Sequence, residues 1–265
     1  MRQRGIQSWL GLYSLLYVAF IYVPVLFLPL FSFNDGIYVA FPLKGFTTRW
    51  YQEMANNTAL IDALKNSVLV GCTVAVISTA LGTLTARALT RYRFRGRKTI
   101  FGLIVVPLVI PFIIIGVALL VLTNRLGIEP SLWTIGAAHL LIATPFTTLI
   151  MISRLEGFDA SLEEASQDLG ETGWMTFWLV TFPLAVPGIV ASLLLSFTES
   201  FDEFILAFFL SGNEVTLPLY IWGQLRFPER LPMVLALGAL ILAASFVIVS
   251  FAEWVRRRGV NVKGK

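Results

Sequence analysis

Six stretches of this chain contain no Asp, Glu, Lys or Arg: residues 5–34, 66–86, 99–124, 130–153, 172–198 and 231–252. The shortest, 66–86, has 21 residues, and a helix needs about 20 apolar residues to cross the hydrocarbon core of a bilayer. Hydrocarbon offers the backbone no hydrogen-bond partner, so runs of this length read as membrane helices. Of the 265 residues, 57% are hydrophobic and 14% charged, where a soluble domain carries roughly 25% charged residues. A soluble globular domain is thereby excluded. Five stretches give spans directly. The fifth in order is awkward, because Pro183 and Pro187 interrupt 172–198 and an apolar run at 204–210 follows the acids of 199–203. The fifth span is placed at about 187–211. The first, apolar from Leu10 to Phe33, exceeds the 7–15 residues of a signal-peptide core and lacks an A-x-A cleavage pattern, so it is expected to remain in the protein.

Six spans put both termini on one side, and Lys and Arg say which. With the termini inside, the inner segments hold Arg2, Arg4, Arg87, Arg91, Arg93, Arg95, Arg97, Lys98, Arg154, Arg256, Arg257, Arg258, Lys263 and Lys265. The outer ones hold Lys44, Arg49, Lys65, Arg125, Arg226 and Arg230, a split of 14 to 6 that follows the positive-inside rule. Position therefore explains the net charge of +4. The run RYRFRGRK (Arg91–Lys98), which alone would suggest nucleic acid, reads as an anchor for anionic lipid heads between two spans. Cys72 is the only cysteine and can form no internal disulfide. No repeat or low-complexity tract is visible, and the expectation is one helical domain, residues 1–265.

The same topology puts residues 154–187 on the cytoplasmic side. Ser161 with Glu164 forms a capping box, and Asp159 adds negative charge at the same helix start. Leu162, Ala165, Ser166 and Leu169 fall on one face of this helix, and Gly170 is placed to end it with positive φ. A second helix, from about Gly173 to Phe182, presents Trp174, Phe177, Trp178 and Thr181 along one side, with Pro183 and Pro187 stopping it before the membrane. Two readings stand side by side: a hairpin lying among lipid headgroups, or two stiff helices offered to a soluble partner.

The stretch EEASQDLGETGWMTFWLVTFPLAVPGI resembles the EAA loop of the permease subunits of binding-protein-dependent ABC importers. That motif runs E-A-A, three residues, G, nine residues, I, one residue, L-P. Here it falls on Glu164, Ala165 and Ser166, then Gly170, Val180, Phe182 and Pro183. Every spacing holds, with Ser166, Val180 and Phe182 replacing Ala, Ile and Leu. The resemblance implies that Glu164, Ala165, Ser166, Asp168, Gly170 and Pro183 couple the chain to an ATP-hydrolysing subunit. It also implies an all-α type I importer permease fold with six spans and cytoplasmic termini, in a bacterial inner membrane. The expected partners are two ATP-binding subunits carrying ATP and Mg, a second similar permease, an external solute-binding protein and membrane lipid. The chain has no G-x-x-x-x-G-K-[ST] loop, so no cofactor is expected on it. GFTTRWYQEM, RYRFRGR, SRLEGFDASLEEA and SFTESFDEF look like the spermidine/putrescine permease subfamily, in its second permease subunit. WGQLRFPERLPMVLALGAL departs from that pattern before the last span.

Glu199, Asp202 and Glu203 stand at i, i+3 and i+4, which shares one helical face in the fifth span. Intramembrane charges normally face a cavity or a partner, so this face reads as an acidic path for a cationic solute. The alternatives are acids outside the membrane or paired with another chain. His139 has no second ligand in pattern, so it reads as an interhelical hydrogen bonder, with a proton relay as the alternative. Pro107, Pro111 and Pro145 predict kinks. No nucleophile, acid–base pair or metal cluster is visible. The function expected is an importer permease for a small cationic solute such as spermidine or putrescine. Phosphonate, amino-acid-derivative or iron import on the same architecture stays open, as does an ion-driven secondary transporter.

Overall fold

The computed structural model describes residues 2–159 and 161–260, with side-chain surroundings for all of these except 2–8, 248–249 and 251–260. Of the basic residues behind the orientation argument, Lys263 and Lys265 lie outside the described residues, and Arg2, Arg4, Arg256, Arg257 and Arg258 outside the described side chains. The helices are α1 (Arg2–Ser32), α2 (Arg49–Ala55), α3 (Thr58–Arg91), α4 (Arg97–Val105), α5 (Phe112–Leu126) and α6 (Leu132–Glu156). Then follow α7 (Ser161–Asp168), α8 (Gly173–Thr176), α9 (Phe182–Asp202), α10 (Ile205–Leu210), α11 (Leu217–Gln224) and α12 (Leu231–Val260). A π-helical turn, Phe177–Thr181, joins α8 to α9. Among the described residues no strand forms, and Asn34 and Phe46 make one isolated bridge.

The all-α membrane architecture expected from the charge-free stretches is what folds. Five segments are long and apolar enough to cross a membrane: Trp9–Ser32, Thr58–Arg91, Leu132–Glu156, Gly173–Asp202 and Pro228–Val247. The expected third span appears as two pieces, Arg97–Leu108 and Phe112–Leu126, bent by 99°, and counts as a sixth if the pair is one span. The cause lies in its prolines. Pro111 stands in extended backbone (φ −55°, ψ 133°) ahead of α5; proline supplies no N–H, and its ring pushes the preceding residue out of the helical region.

The fifth span corrects the expectation of 187–211. Its helix starts upstream and stops at Asp202. Pro183 and Pro187 do not end the preceding helix; Pro183 sits in the first turn of α9 and Pro187 inside it. Pro183 follows the π turn directly and falls in the first turn of α9, where its missing N–H and its ring are tolerated.

The chain divides into two compact units, residues up to Thr58 with those from Ile221 onward, and Ala59–Tyr220. In the first, α12 packs on α1 and α2. Trp50 is buried there, and its Nε1 donates to the carbonyl of Asn34 at 2.8 Å. Most of α1 from Trp9 to Val23 is exposed apolar surface, as suits a helix solvated by lipid or by another membrane chain. In the second unit, Val70 and Val74 (α3), Ile115 (α5), Ile135 and Ile142 (α6), and Leu206 and Leu210 (α10) form one core cluster. Its helices approach at small residues, the usual device where lipid removes the hydrophobic drive for packing. A side chain at Gly82 would collide with Thr147 and with the backbone nitrogen of Thr148, while Thr147 Oγ1 donates to the Ser78 carbonyl at 2.7 Å.

Candidate functional site

Between α6 and α9 the second unit carries a helical hairpin. Asp159 begins it: one of its carboxylate oxygens accepts the Ser161 N–H at 3.0 Å. That bond, with a second from the Ser161 hydroxyl, holds the Asp159 carboxyl below its ordinary 3.8. Asp159 therefore caps α7, where the sequence had suggested Ser161, which is already helical. Gly170 ends the helix at φ +96°. Its N–H donates to the Gln167 carbonyl (2.9 Å), and the next N–H, of Glu171, reaches back to Ser166 (3.3 Å). This pair of bonds defines a Schellman stop, whose left-handed residue favours glycine. Thr172 then caps α8 by accepting the Met175 N–H at 3.3 Å.

The faces of α7 are inverted relative to a soluble helix. Leu162 is 47% exposed and Leu169 86%, and Ala165 is exposed with them. The buried residue is a carboxylate, Glu163. Its Oε1 accepts a hydrogen bond from Thr181 at 2.7 Å, and its Oε2 lies 3.3 Å from Arg91 Nε, an ion contact without hydrogen-bond alignment. Of the residues predicted to couple, Glu164, Ala165, Asp168 and Gly170 are exposed, Pro183 is exposed at the start of α9, and Ser166 is half-buried. The Ser166 hydroxyl lies 3.1 Å from that of Thr176. Thr181 does not share a face with the tryptophans. It is buried while Trp174 and Trp178 are exposed, because the π turn rotates it inward.

The acids of the fifth span do not form the expected ladder. Glu203 leaves the helix in extended backbone (φ −71°, ψ 123°). Its carboxylate accepts the N–H groups of Ile205 (2.9 Å), Leu206 (2.8 Å) and Ala207 (3.3 Å), capping α10. The same carboxylate lies 3.3 Å from His139 Nε2. The other ring nitrogen of His139 hydrogen-bonds Ser200 at 2.7 Å, the interhelical role expected of it. Glu199 and Asp202 remain in α9. Asp202 is exposed and Glu199 half-buried, with Glu199 Oε2 finding no hydrogen-bond partner among the described residues.

Sequence reasoning passed over Glu163, Arg87 and Arg91 as site residues. The spacing of the two arginines, one helical turn apart with a Glu-Glu pair downstream, was the available signal. The chain belongs to the binding-protein-dependent transport system inner membrane components, whose pattern matches residues 78–259. It is thus a multi-pass inner-membrane transport permease, and not an enzyme. Among its relatives is the Escherichia coli (strain K12) spermidine/putrescine transport system permease protein PotC, 35% identical over 240 residues, 90% of each chain. The putrescine transport system permease protein PotI of the same strain is 35% identical over 254 residues, covering 93% of this chain and 89% of its own. A bacterial alginate ABC transporter, solved with an alginate-pentasaccharide-bound periplasmic protein, shares the fold. Its TM-score is 0.73 at 18% identity, over 97% of this chain and 95% of that one.

Proposed function

We propose that this chain, with both termini cytoplasmic, is the permease subunit of an ATP-driven importer for a small cationic solute of the polyamine class, spermidine or putrescine. The observation that carries the coupling half of this reading is the inverted α7. An eight-residue helix with its carboxylate inside and Leu162 and Ala165 outside, followed by an exposed Leu169, is built to be covered. Glu164, Asp168 and Gly170 flank that apolar stripe and meet the partner with it. The partner is an ATP-binding subunit, two per transporter, which carries ATP and Mg. A second similar permease completes the pore, an external solute-binding protein delivers the solute, and lipid surrounds both; nucleic acid has no part. The polyamine half rests on relatives named for spermidine and putrescine and on two carboxylates, Glu199 and Asp202, on the helix that would line the path. Glu203 serves α10 instead.

The test is uptake of labelled putrescine and spermidine by cells carrying the whole system, beside Gly170→Asp, Glu199→Gln and Asp202→Asn, each checked for membrane level. Gly170→Asp abolishes uptake with the chain still in the membrane; undiminished transport defeats the coupling assignment. Saturable polyamine uptake lost in the carboxamide variants supports the acidic path. No polyamine uptake by the wild type removes this solute class.

A further inference from the structure

Two arginines one turn apart near the end of α3 hold the whole hairpin. Arg87 donates from Nη2 to the Gly173 carbonyl at 3.2 Å and lies 4.6 Å over the Phe177 ring. Arg91 donates from Nη2 to the Leu155 carbonyl at 3.1 Å, lies 4.8 Å over Phe158, and faces Glu163 across 3.3 Å. Thr181, in the π turn that leads into α9, donates to the other oxygen of the same carboxylate. The end of α6, both arms of the hairpin and the start of α9 thus converge on α3.

The pair at the centre is enclosed: the Arg91 and Glu163 side chains are 15% and 11% exposed. Separating such a pair leaves an uncompensated charge in a poorly solvated place, which is far costlier than parting two surface ions. No apolar residue of α7 is buried; Glu163 is its single buried side chain. Ser166 ties α7 to the second arm of the hairpin at Thr176, and Glu163 is the α7 side chain that ties it to α3, so a push on the exposed apolar face reaches α3 chiefly through that buried contact.

We propose that Glu163, Arg91 and Thr181 form a buried ionic latch that makes α7 move as one body with α3 and the start of α9, with Arg87 fixing the second arm. This deepens the coupling reading above and rests on it. The two adjacent glutamates divide the work: Glu164 faces the ATP-binding partner, and Glu163 is a positioning residue that carries the displacement into the membrane helices.

The assembled transporter, reconstituted with its ATP-binding subunits, tests this by two readouts. Spin labels at Leu84 on α3 and Gln167 on α7, in a Cys72→Ser background, report the distance between the helices with and without ATP. In the latched protein one narrow distribution persists in both states; in Glu163→Gln and Arg91→Gln it shifts or broadens when ATP is added. A purely structural role for Glu163 would leave the two nucleotide states alike in the variants, and that result overturns the latch, as does a distance that moves with ATP in the latched protein. The second readout is putrescine uptake per ATP hydrolysed, which falls about fivefold or more, the lower end of ordinary coupling between sites. Both are read per assembled complex, and Thr181→Val, which removes only the hydroxyl, moves them in the same direction by less. Gly170→Asp separates the two ideas: if it leaves uptake intact, the docking assignment fails, while the latch is still judged by the distances.

Discussion

Replacing Glu203 with glutamine separates a structural carboxylate from one that meets solute. In the folded chain Oε1 accepts one backbone N–H, from Ile205, and Oε2 accepts two, from Leu206 and Ala207. A glutamine carbonyl can serve only one of these sides. Turned to keep Leu206 and Ala207, it points its amide nitrogen at the Ile205 N–H, and a donor is left unpaired in an enclosed place. That costs about 1–3 kcal/mol, and about 2 kcal/mol in a chain of this size lowers Tm by about 4–8 °C. Glu199→Gln is the control, because Glu199 Oε2 has no hydrogen-bond partner to lose and its Tm stays at the wild-type value. Intrinsic tryptophan fluorescence on heating, in detergent, reads both variants. A Glu203→Gln protein that melts with the wild type would refute the reasoning, and Glu203 would return to the pathway acids.

Two further outcomes follow from the geometry. Gly82→Ala places a methyl group against Thr147 and the Thr148 backbone, and the overpacking costs about 1–3 kcal/mol; the same melting assay shows a lower Tm, whereas Gly136→Ala on α6, with open space at its Cβ, shows none. Asp159 titrates below 3.8 in a carboxyl-carbon NMR titration, and Ser161→Ala returns it only part of the way, since the backbone N–H is the larger cause. The sign follows: a carboxyl whose folded pKa is depressed stabilises the start of α7 above its unfolded pKa, and loses that contribution as pH falls through the folded value.

Charge-free length gave the helical membrane architecture, because bilayer thickness and backbone hydrogen bonding leave few other solutions for such runs. The two proline-rich places came out in opposite ways, with the kink expected at Pro111 present and the stop expected at Pro183 and Pro187 absent. At Pro111 the chain bends by 99°, while at Pro183 and Pro187 the helix continues. For Pro183 the difference lies in the π turn directly upstream of it, which no residue pattern announces. Glu203 was misplaced for a related reason. Spacing at i, i+3 and i+4 assumes an unbroken helix, and a carboxylate that caps the next helix breaks the one it follows. In the hairpin, the motif spacing located the turn at Gly170 and the exposed Glu164. It could not distinguish the two neighbouring glutamates, because burial of Glu163 is decided by Arg91 and Thr181, 72 residues before it and 18 after.

The outward-facing leucines of α7 also bear on how the subunit is made. On the coupling reading proposed above, a permease made in excess of an ATP-binding partner would display Leu162 on α7 and Leu169 just beyond it, with Trp174 and Met175 exposed on the second arm. Exposed apolar side chains of this kind are what chaperones and proteases engage. Docking of the proposed partner would cover them. The surface that would receive the power stroke would thus also be the one by which an unpaired subunit is recognised and cleared, tying the supply of this chain to that of the proposed partner.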